Sequence, residues 1–474
     1  QRELDMLIPI EYILDWFRAR LHATGLENRI LVLKSKTASG KSTTMPPRLY
    51  EAFLHSLPPT APGLICTQPR RITAIKNVLE ILIWNSAFLR LGQNCGWLTQ
   101  YDKVAPAVKC SMLSATLQTL TQQLKTMTDD EICDRYQFIL IDECHERSMQ
   151  LDLTVYILKN FIARNAHKTH CPFVCLMSAT FDETVFLKYF GLDTGPDSNN
   201  FICVQGLSQP REQRRLFEGD ETSQNLNADI VRAVRDIIDR GEADEFGRRD
   251  ILIFLPGANN PDLRKMFGAM NTELVEAGQA DQVCSVLQVS SDAQENETFE
   301  YLSLDSIGLA SQLVEIDGKK YIPRRRIIIS TNIAETGLTL SELKYMIDAG
   351  FNNETEFNPL LGIQYLALKA APQSRIAQRI GRVGRKFAGD YYLMYPDSLY
   401  DRPQANQWPD ILTNDITEVL LDIIIEQMKA KARDGRPMEF ALADVDLLDV
   451  PSIDAFRYSL EKLYTLGLVS PLAP

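Results

Sequence analysis

Phe138-Ile139-Leu140-Ile141 runs directly into Asp142-Glu143-Cys144-His145-Glu146-Arg147-Ser148, and the fold follows from this stretch. Four consecutive apolar residues suit a strand buried on both faces, which is the condition of strands in a parallel sheet. A strand that ends in two adjacent acids presents carboxylates at the carboxyl edge of the sheet, where open α/β folds bind ligands. About a hundred residues upstream, Ser35-Lys36-Thr37-Ala38-Ser39-Gly40-Lys41-Ser42-Thr43 joins another apolar run to a helical segment. Backbone N–H groups around a glycine can cradle phosphate, Lys41 can reach β- and γ-phosphates, and the Ser42 hydroxyl can ligate Mg2+. Alone, this loop could equally be a solvated turn, because Ser35 stands at its first glycine position. The downstream acids decide between the two, since a loop, a lysine, a hydroxyl and paired carboxylates are the parts needed to handle a nucleoside triphosphate on magnesium.

Composition sets outer limits. A length of 474 residues allows roughly three domains of ordinary size. The 45% hydrophobic and 24% charged content is that of a soluble globular protein. No apolar run approaches a membrane span, and no basic-then-apolar leader is visible, so no membrane partner is expected. The chain starts at Gln1, which suggests a piece of something longer. Nine scattered cysteines suggest reduced thiols in an intracellular compartment. A net charge of −12 argues against nucleic acid covering the whole surface, but it leaves room for a local basic track.

Short apolar strands alternate with helical stretches. Strands are predicted at 30–35, 64–68, 108–113, 138–143 and 173–180, then at 251–256, 284–290, 326–332, 345–350 and 390–395. A polar loop at 191–200 separates the two series, and helices are predicted at 72–91, 147–159 and 225–240. Such alternation implies an α/β fold with parallel sheets wound on both faces. From about residue 396 the pattern turns helical, ending in a helix near 456–466.

Gln378-Arg379-Ile380-Gly381-Arg382-Val383-Gly384-Arg385-Lys386 is a basic cluster with no acid. On a helix, Arg382 and Arg385 would share a face, and paired guanidiniums can stabilise a transferring phosphoryl group while Gln378 orients water. A basic face holding nucleic-acid phosphates is the alternative. Gly381 and Gly384 weaken a helix and point instead to a close backbone approach. His167, His170, Cys171 and Cys175 have a spacing that superficially suggests zinc, yet Cys175 falls inside an apolar strand, so an ordinary loop-then-strand is preferred.

In order, SGKS (39–42), TQPRR (67–71), DECH (142–145), SAT (178–180), IFLPG (253–257), STNIAETGLT (330–339) and QRIGRVGR (378–385) resemble the motif series of superfamily 2 helicases. The likeness is strongest to the DEAH/RHA-type branch, with DECH for DEAH as in some viral relatives, and it spans roughly residues 31–395. It implies two RecA-like domains, at 1–198 and 199–397, and a winged-helix-like domain at 398–474, to whose start Ile416–Met428 is similar.

The resemblance further implies an NTP-dependent RNA helicase using ATP or another NTP with Mg2+, moving 3′ to 5′ on single-stranded RNA or a duplex with a 3′ tail. An RNA-stimulated NTPase that remodels ribonucleoprotein without unwinding, a DNA helicase and a catalytically dead binding scaffold are the alternatives. By this likeness Thr37, Ala38, Ser39, Gly40, Lys41, Ser42 and Thr43 hold phosphates, with Gly337 and Phe351 on the nucleotide. Ser42, Asp142 and Glu143 hold metal. Lys41, Asp142, Glu143, His145, Gln378, Arg382 and Arg385 form the catalytic set. Ser178, Ala179 and Thr180 couple hydrolysis to domain movement, as do Glu335, Thr336 and Gly337.

Nucleic-acid contacts are implied for Arg70, Arg71, Ser114, Thr116, Gly257, Thr331 and Asn332. Ser114 and Thr116 could also be ordinary turn residues. A β-hairpin within 350–368 is implied at the duplex junction. Glu80 departs from the family's base-clamping arginine and no upstream Gln-centred segment that would read adenine is visible, so discrimination among the four triphosphates is expected to be weak; residues 303–323 have no counterpart in the family. A monomer within an infected cell or virion is expected, and any protein activator is left unidentified.

Overall fold

β1 (Ile30–Ser35), β2 (Gly63–Gln68), β3 (Cys95–Leu98), β4 (Lys103–Val104), β5 (Met112–Thr116), β6 (Tyr136–Ile141), β7 (Phe173–Ser178) and β8 (Phe201–Val204) line up in one sheet in the order β4-β3-β5-β2-β6-β7-β1-β8. All neighbours are parallel except β3 with β4. β2 and β7 are buried at every position, as expected of strands covered by helices on both faces. Parallel pairing brings Ser35, Gln68, Thr116, Ile141 and Ser178 to a common carboxyl edge.

The computed structural model describes residues 10–35, 40–180, 182–195, 197–204, 209–214, 225–240, 249–289, 313–335, 340, 342–396, 406–437 and 439–470. The chain divides into two compact units: Gln1–Leu207 with Thr355–Tyr365 and Trp408–Pro474, and Ser208–Glu354 with Leu366–Gln407.

The second unit has its own parallel sheet. It contains β9 (Arg211–Arg214), β10 (Asp250–Phe254), β11 (Cys284–Val289), β14 (Arg325–Ser330), β15 (Leu343–Asp348) and β18 (Gly389–Leu393), in the order β11-β14-β10-β15-β18-β9. Two small paired elements lie outside the sheets: β12 (Val314–Ile316) with β13 (Lys319–Tyr321), and β16 (Phe351–Asn358) with β17 (Ile363–Ala370). Ile251, Ile253, Ile327, Ile329 and Ile347 pack under the helices Leu226–Asp239 and Pro261–Glu276. The fully buried Arg326 guanidinium pairs with Asp250 across the sheet, so neither charge is left alone in the interior.

Three sequence expectations shift. The strand expected at 108–113 begins at Met112, because the Lys109 and Cys110 amides donate to the Pro59 carbonyl instead of to a neighbouring strand. Residues 201–204, expected to open the second domain, form β8 and pair with β1, so the first sheet reaches past residue 198. The C-terminal segment, read as a domain of its own, shares one hydrophobic core with the first sheet. Ile411, Leu420, Ile423, Phe456 and Leu463 pack in the cluster that contains Leu151, Leu158 and Ile162 of the helix Met149–Asn165. Arg147 to Asp449 at 2.6 Å and Lys125 to Asp422 at 2.5 Å tie the same segments by charge.

Leu420 is fully buried in this shared core. Leu420→Ala is expected to remove about 2–5 kcal/mol, the usual range for such a truncation, in urea unfolding. Hydrogen exchange in Met149–Asn165 should speed up in the same variant. Unchanged exchange in that helix would show that the C-terminal segment folds as a separate unit.

Candidate active site

β6 delivers Asp142 and Glu143 to the sheet edge, and the backbone then turns sharply. Glu143 (φ 56°) and Arg147 (φ 44°) both occupy the left-handed region, a conformation disfavoured by about 1–3 kcal/mol for residues with a Cβ. Such strain persists only where surrounding structure holds it. The holding contacts converge on Asp142, which is 4% exposed. Its Oδ1 accepts the Glu143 backbone N–H at 2.8 Å, and its Oδ2 accepts from Gln68 Nε2 at 3.0 Å and from the Ser42 hydroxyl. Lys41 Nζ lies 3.6 Å from Asp142 Oδ1 and 3.2 Å from Glu143 Oε1. Burial pushes the Asp142 carboxyl above its ordinary value, opposed by Lys41 and by the bonds from Ser42 and Gln68.

The loop ahead of Lys41 ends in Gly40 with φ 80°, where a Cβ would sit 2.7 Å from Thr44 Oγ1, so glycine is required to start the helix Lys41–Leu49. The Thr43 and Thr44 amides donate to the Gly40 carbonyl in the first turn. Thr37, Ala38, Ser39 and Gly337 lie outside the described residues.

A second set of contacts leads from Glu143 to β7. His145 Nδ1 lies 2.8 Å from Ser178 Oγ and 3.4 Å from Glu143 Oε2, and the Thr180 N–H donates to Ser178 Oγ at 3.3 Å. His145 Nε2 is buried without a hydrogen-bond partner among the described residues. Ala179 and Thr180 follow as a half-buried bend.

In the second unit, the helix Gln373–Ile380 carries Gln378, buried, and closes at Gly381. Arg382 and Arg385 therefore stand in the turns beyond the helix. Gly384 makes the close approach that its residue type indicated: its φ is 71°, and a Cβ there would sit 2.7 Å from Arg211 Cγ and 2.9 Å from the Gln209 carbonyl. The turn is fastened to the start of β9 by Gln209 N–H to Gly384 O at 2.9 Å and Arg211 Nε to Val383 O at 2.8 Å. Arg385 Nε reaches the Gly381 carbonyl at 3.4 Å.

Sequence reasoning missed the charges that hold this helix. Arg379 Nε donates to Glu335 Oε1 at 2.7 Å and its Nη1 to Asp348 Oδ1 at 2.6 Å, while Arg375 Nη1 reaches Glu335 Oε2 at 2.9 Å. The i, i+4 spacing of Arg375 and Arg379 was the available signal. Gln68 was also missed; its signal was a polar side chain ending an otherwise apolar strand.

The residues implied for nucleic acid fall at strand ends in both units. Arg70 caps the helix Arg71–Asn85, and Arg71 Cζ lies 5.9 Å from the Tyr101 ring centroid. Thr116 ends β5 with its hydroxyl 2.9 Å from Thr119 Oγ1, whereas Ser114 is buried within the strand. In the second unit Gly257 follows β10 with open space around it, and Thr331 precedes the short turn Asn332–Ala334 with a buried hydroxyl that has no hydrogen-bond partner among the described residues. Phe351, 40% exposed, opens β16.

Ser42 and Asp142 offer hard oxygen donors beside a lysine, a set suited to Mg2+, which keeps most of its ligands as water and substrate phosphate. Among the described residues no group of three or more His, Cys, Asp and Glu side chains is arranged to hold a metal.

Residues 280–387 match the helicase conserved C-terminal domain. The chain is 34% identical over 495 residues to "Putative RNA Helicase B962L" of African swine fever virus (isolate Pig/Kenya/KEN-50/1950), covering 98% of this chain and 48% of that protein. The protein of the Tick/Malawi/Lil 20-1/1983 isolate matches at the same identity and coverage. The chain thus spans about half the length of these relatives. In fold it is similar to the Escherichia coli DEAH/RHA helicase HrpB, with TM-score 0.71 and 20% identity over 98% of this chain and 51% of that one. The fold so defined has two RecA-like parallel-sheet domains and a helical C-terminal region. The domain match over residues 280–387 and the likeness to these viral proteins support a superfamily 2 helicase of the DExH type.

The Glu335 cluster gives a test with a definite sign. Burial opposes ionisation of Glu335, yet Arg375 and Arg379 hold its carboxyl below its ordinary value. A depressed folded-state pKa contributes stability above the unfolded carboxylate range, and that stability is lost as pH falls through the folded value. Arg379→Met leaves Glu335 and Asp348 with less compensation and should destabilise the protein by about 3–5 kcal/mol at neutral pH. Its acid-unfolding midpoint should move to higher pH, as followed by circular dichroism. A midpoint that stays in place would remove Arg379 from this role.

Proposed function

We propose that this chain is the motor portion of an NTP-dependent RNA helicase, and the observation that carries the reading is the convergence of Lys41, Ser42, Asp142 and Glu143 at one sheet edge. Lys41, 7% exposed and flanked by two carboxylates, is placed to exchange these partners for the β- and γ-phosphates of a nucleotide. Bound Mg2+ would neutralise phosphate charge, with Ser42 and Asp142 holding it directly or through water. Glu143, anchored by Lys41 and near His145, is the base that orients and deprotonates the attacking water. The sequence likeness assigns Gln378, Arg382 and Arg385 of the second unit the task of stabilising charge on the transferring phosphoryl group. His145, Ser178 and Thr180 form the path by which Glu143 senses β7.

Glu143→Gln should keep nucleotide binding while cutting turnover by about 10²–10⁴, the scale for loss of a positioned general base. Arg385→Ala, in the same phosphate-release assay, should fall on the order of 10³. Turnover within a few-fold of the unmodified chain in either variant would remove that residue from the chemistry.

RNA as the substrate rests on the relatives described as RNA helicases and on strand-end residues such as Arg70, Arg71 and Thr116, whose groups could hold backbone phosphates without reading sequence. Movement 3′ to 5′ rests on the likeness to the DEAH/RHA branch, which implies a hairpin within 350–368; β16 and β17 pair over that stretch. Duplexes with a single-stranded 3′ tail should be unwound and those with a 5′ tail should not. The reverse preference would overturn the direction, and RNA-stimulated hydrolysis with no strand displacement would favour a remodelling clamp. A viral setting inside an infected cell is consistent with the relatives' source. Among the described residues no helix is long and apolar enough to cross a membrane.

A further inference from the structure

Gln68 is the last residue of β2, and it stands between two strands with different tasks. On one side its backbone is in register with Thr116, the terminal residue of β5 and a candidate nucleic-acid contact. On the other, β2 pairs with β6 through Thr67 and Ile141, and Gln68 Nε2 donates to Asp142 Oδ2 at 3.0 Å. The side chain is 3% exposed, so the bond is made out of water and is not replaceable by solvent. Asp142 Oδ2 also accepts from Ser42, which makes the Gln68 amide one of two donors that set the direction of this oxygen. A small cavity of about 10 Å³, room for about one water, is lined by Gln68, Ser42 and Ser114, with Cys66 and Asn77 also on its wall.

Parallel strands in register move together more readily than they slip, because a one-residue slip exchanges every side chain between faces. A force applied at Thr116 by a bound backbone phosphate is thus passed to Gln68 across a single strand pair. From there it reaches Asp142 through one hydrogen bond. We propose that Gln68 is a positioning residue that links occupation of the nucleic-acid edge to the aim of the Asp142 carboxylate, and so to metal-nucleotide binding. The inference rests on the helicase reading above, and deepens it by naming the residue through which RNA stimulates hydrolysis.

The test uses the full chain with Gln68→Met, which keeps volume but donates no hydrogen bond, and Gln68→Asn, which keeps the amide but is one methylene too short. Three quantities are measured: binding of Mn2+ with a non-hydrolysable ATP analogue by electron paramagnetic resonance, the ratio of hydrolysis rates with and without single-stranded RNA, and the thermal unfolding midpoint. Outer-shell partners of metal ligands typically influence affinity by about 10–100-fold, so Mn2+ affinity should fall roughly tenfold in both variants. The RNA stimulation ratio should drop toward one. Should Gln68→Met fail to fold, Gln68→Asn carries the same expectations. A lowered midpoint with Mn2+ affinity and stimulation ratio unchanged would overturn the proposal and leave Gln68 a packing residue. An unmodified chain that hydrolyses no triphosphate would overturn the helicase reading itself. An unmodified chain stimulated by RNA, with variants stimulated equally, would overturn only the role of Gln68.

Discussion

Asp142 is a carboxyl group placed where water does not reach, and the first unit is organised around making its charge tolerable. Burying an isolated carboxylate is prohibitive, and an uncompensated one takes up a proton instead. Here the compensation comes from three separate parts of the chain: Lys41 and Ser42 from the phosphate-loop helix, Gln68 from β2, and the Glu143 amide from the turn after β6. None of these donors is near Asp142 unless β1, β2 and β6 lie parallel with their carboxyl ends level. The charge cluster is therefore a condition on the topology of the sheet as well as a consequence of it.

The second unit repeats the principle with the signs reversed. Arg379 is the buried charge, and Glu335, Asp348 and the side-chain oxygen of Asn352 surround it. Glu335 follows the turn after β14, Asp348 ends β15, and Asn352 lies near the start of β16, so one guanidinium joins three segments at the carboxyl edge of that sheet. Its planar fork of donors suits several carboxylates at once, which an ammonium could not match. By gripping the helix Gln373–Ile380, Arg379 also fixes where that helix ends and hence where Arg382 and Arg385 begin.

Much of this is legible in the amino-acid sequence alone. Apolar runs such as Phe138–Ile141 mark buried strands because parallel sheets leave no solvent face, and Asp142 and Glu143 must then lie at an edge. Gly384 is readable as a point of close approach, and the contact with Arg211 bears that out. What the sequence conceals is of three kinds. β8 and β9 are edge strands of four residues, too short to show a pattern against their polar surroundings. The strand at Met112 starts later than its apolar pattern suggests, because Val108 and Cys110 look like strand residues while their neighbourhood is held to Pro59. The role of the C-terminal helices is hidden most deeply, since their apolar faces reveal amphipathicity but not which surface they will cover.

That last point bears on how the motor is built. Arg147, held in a left-handed backbone conformation next to the DECH turn, donates to Asp152 at 2.8 Å and to Asp449 at 2.6 Å. Asp152 begins the helix that packs against the C-terminal segment, and Asp449 belongs to that segment. The backbone strain around Glu143 is thereby braced by residues some three hundred positions later in the chain. Asp449 is partly exposed, so its pair with Arg147 adds little net stability. It does make the geometry of the DECH turn depend on the C-terminal segment being in place. The shared core and the strained turn then belong to one arrangement, in which the helical segment supports the conformation of the hydrolytic edge.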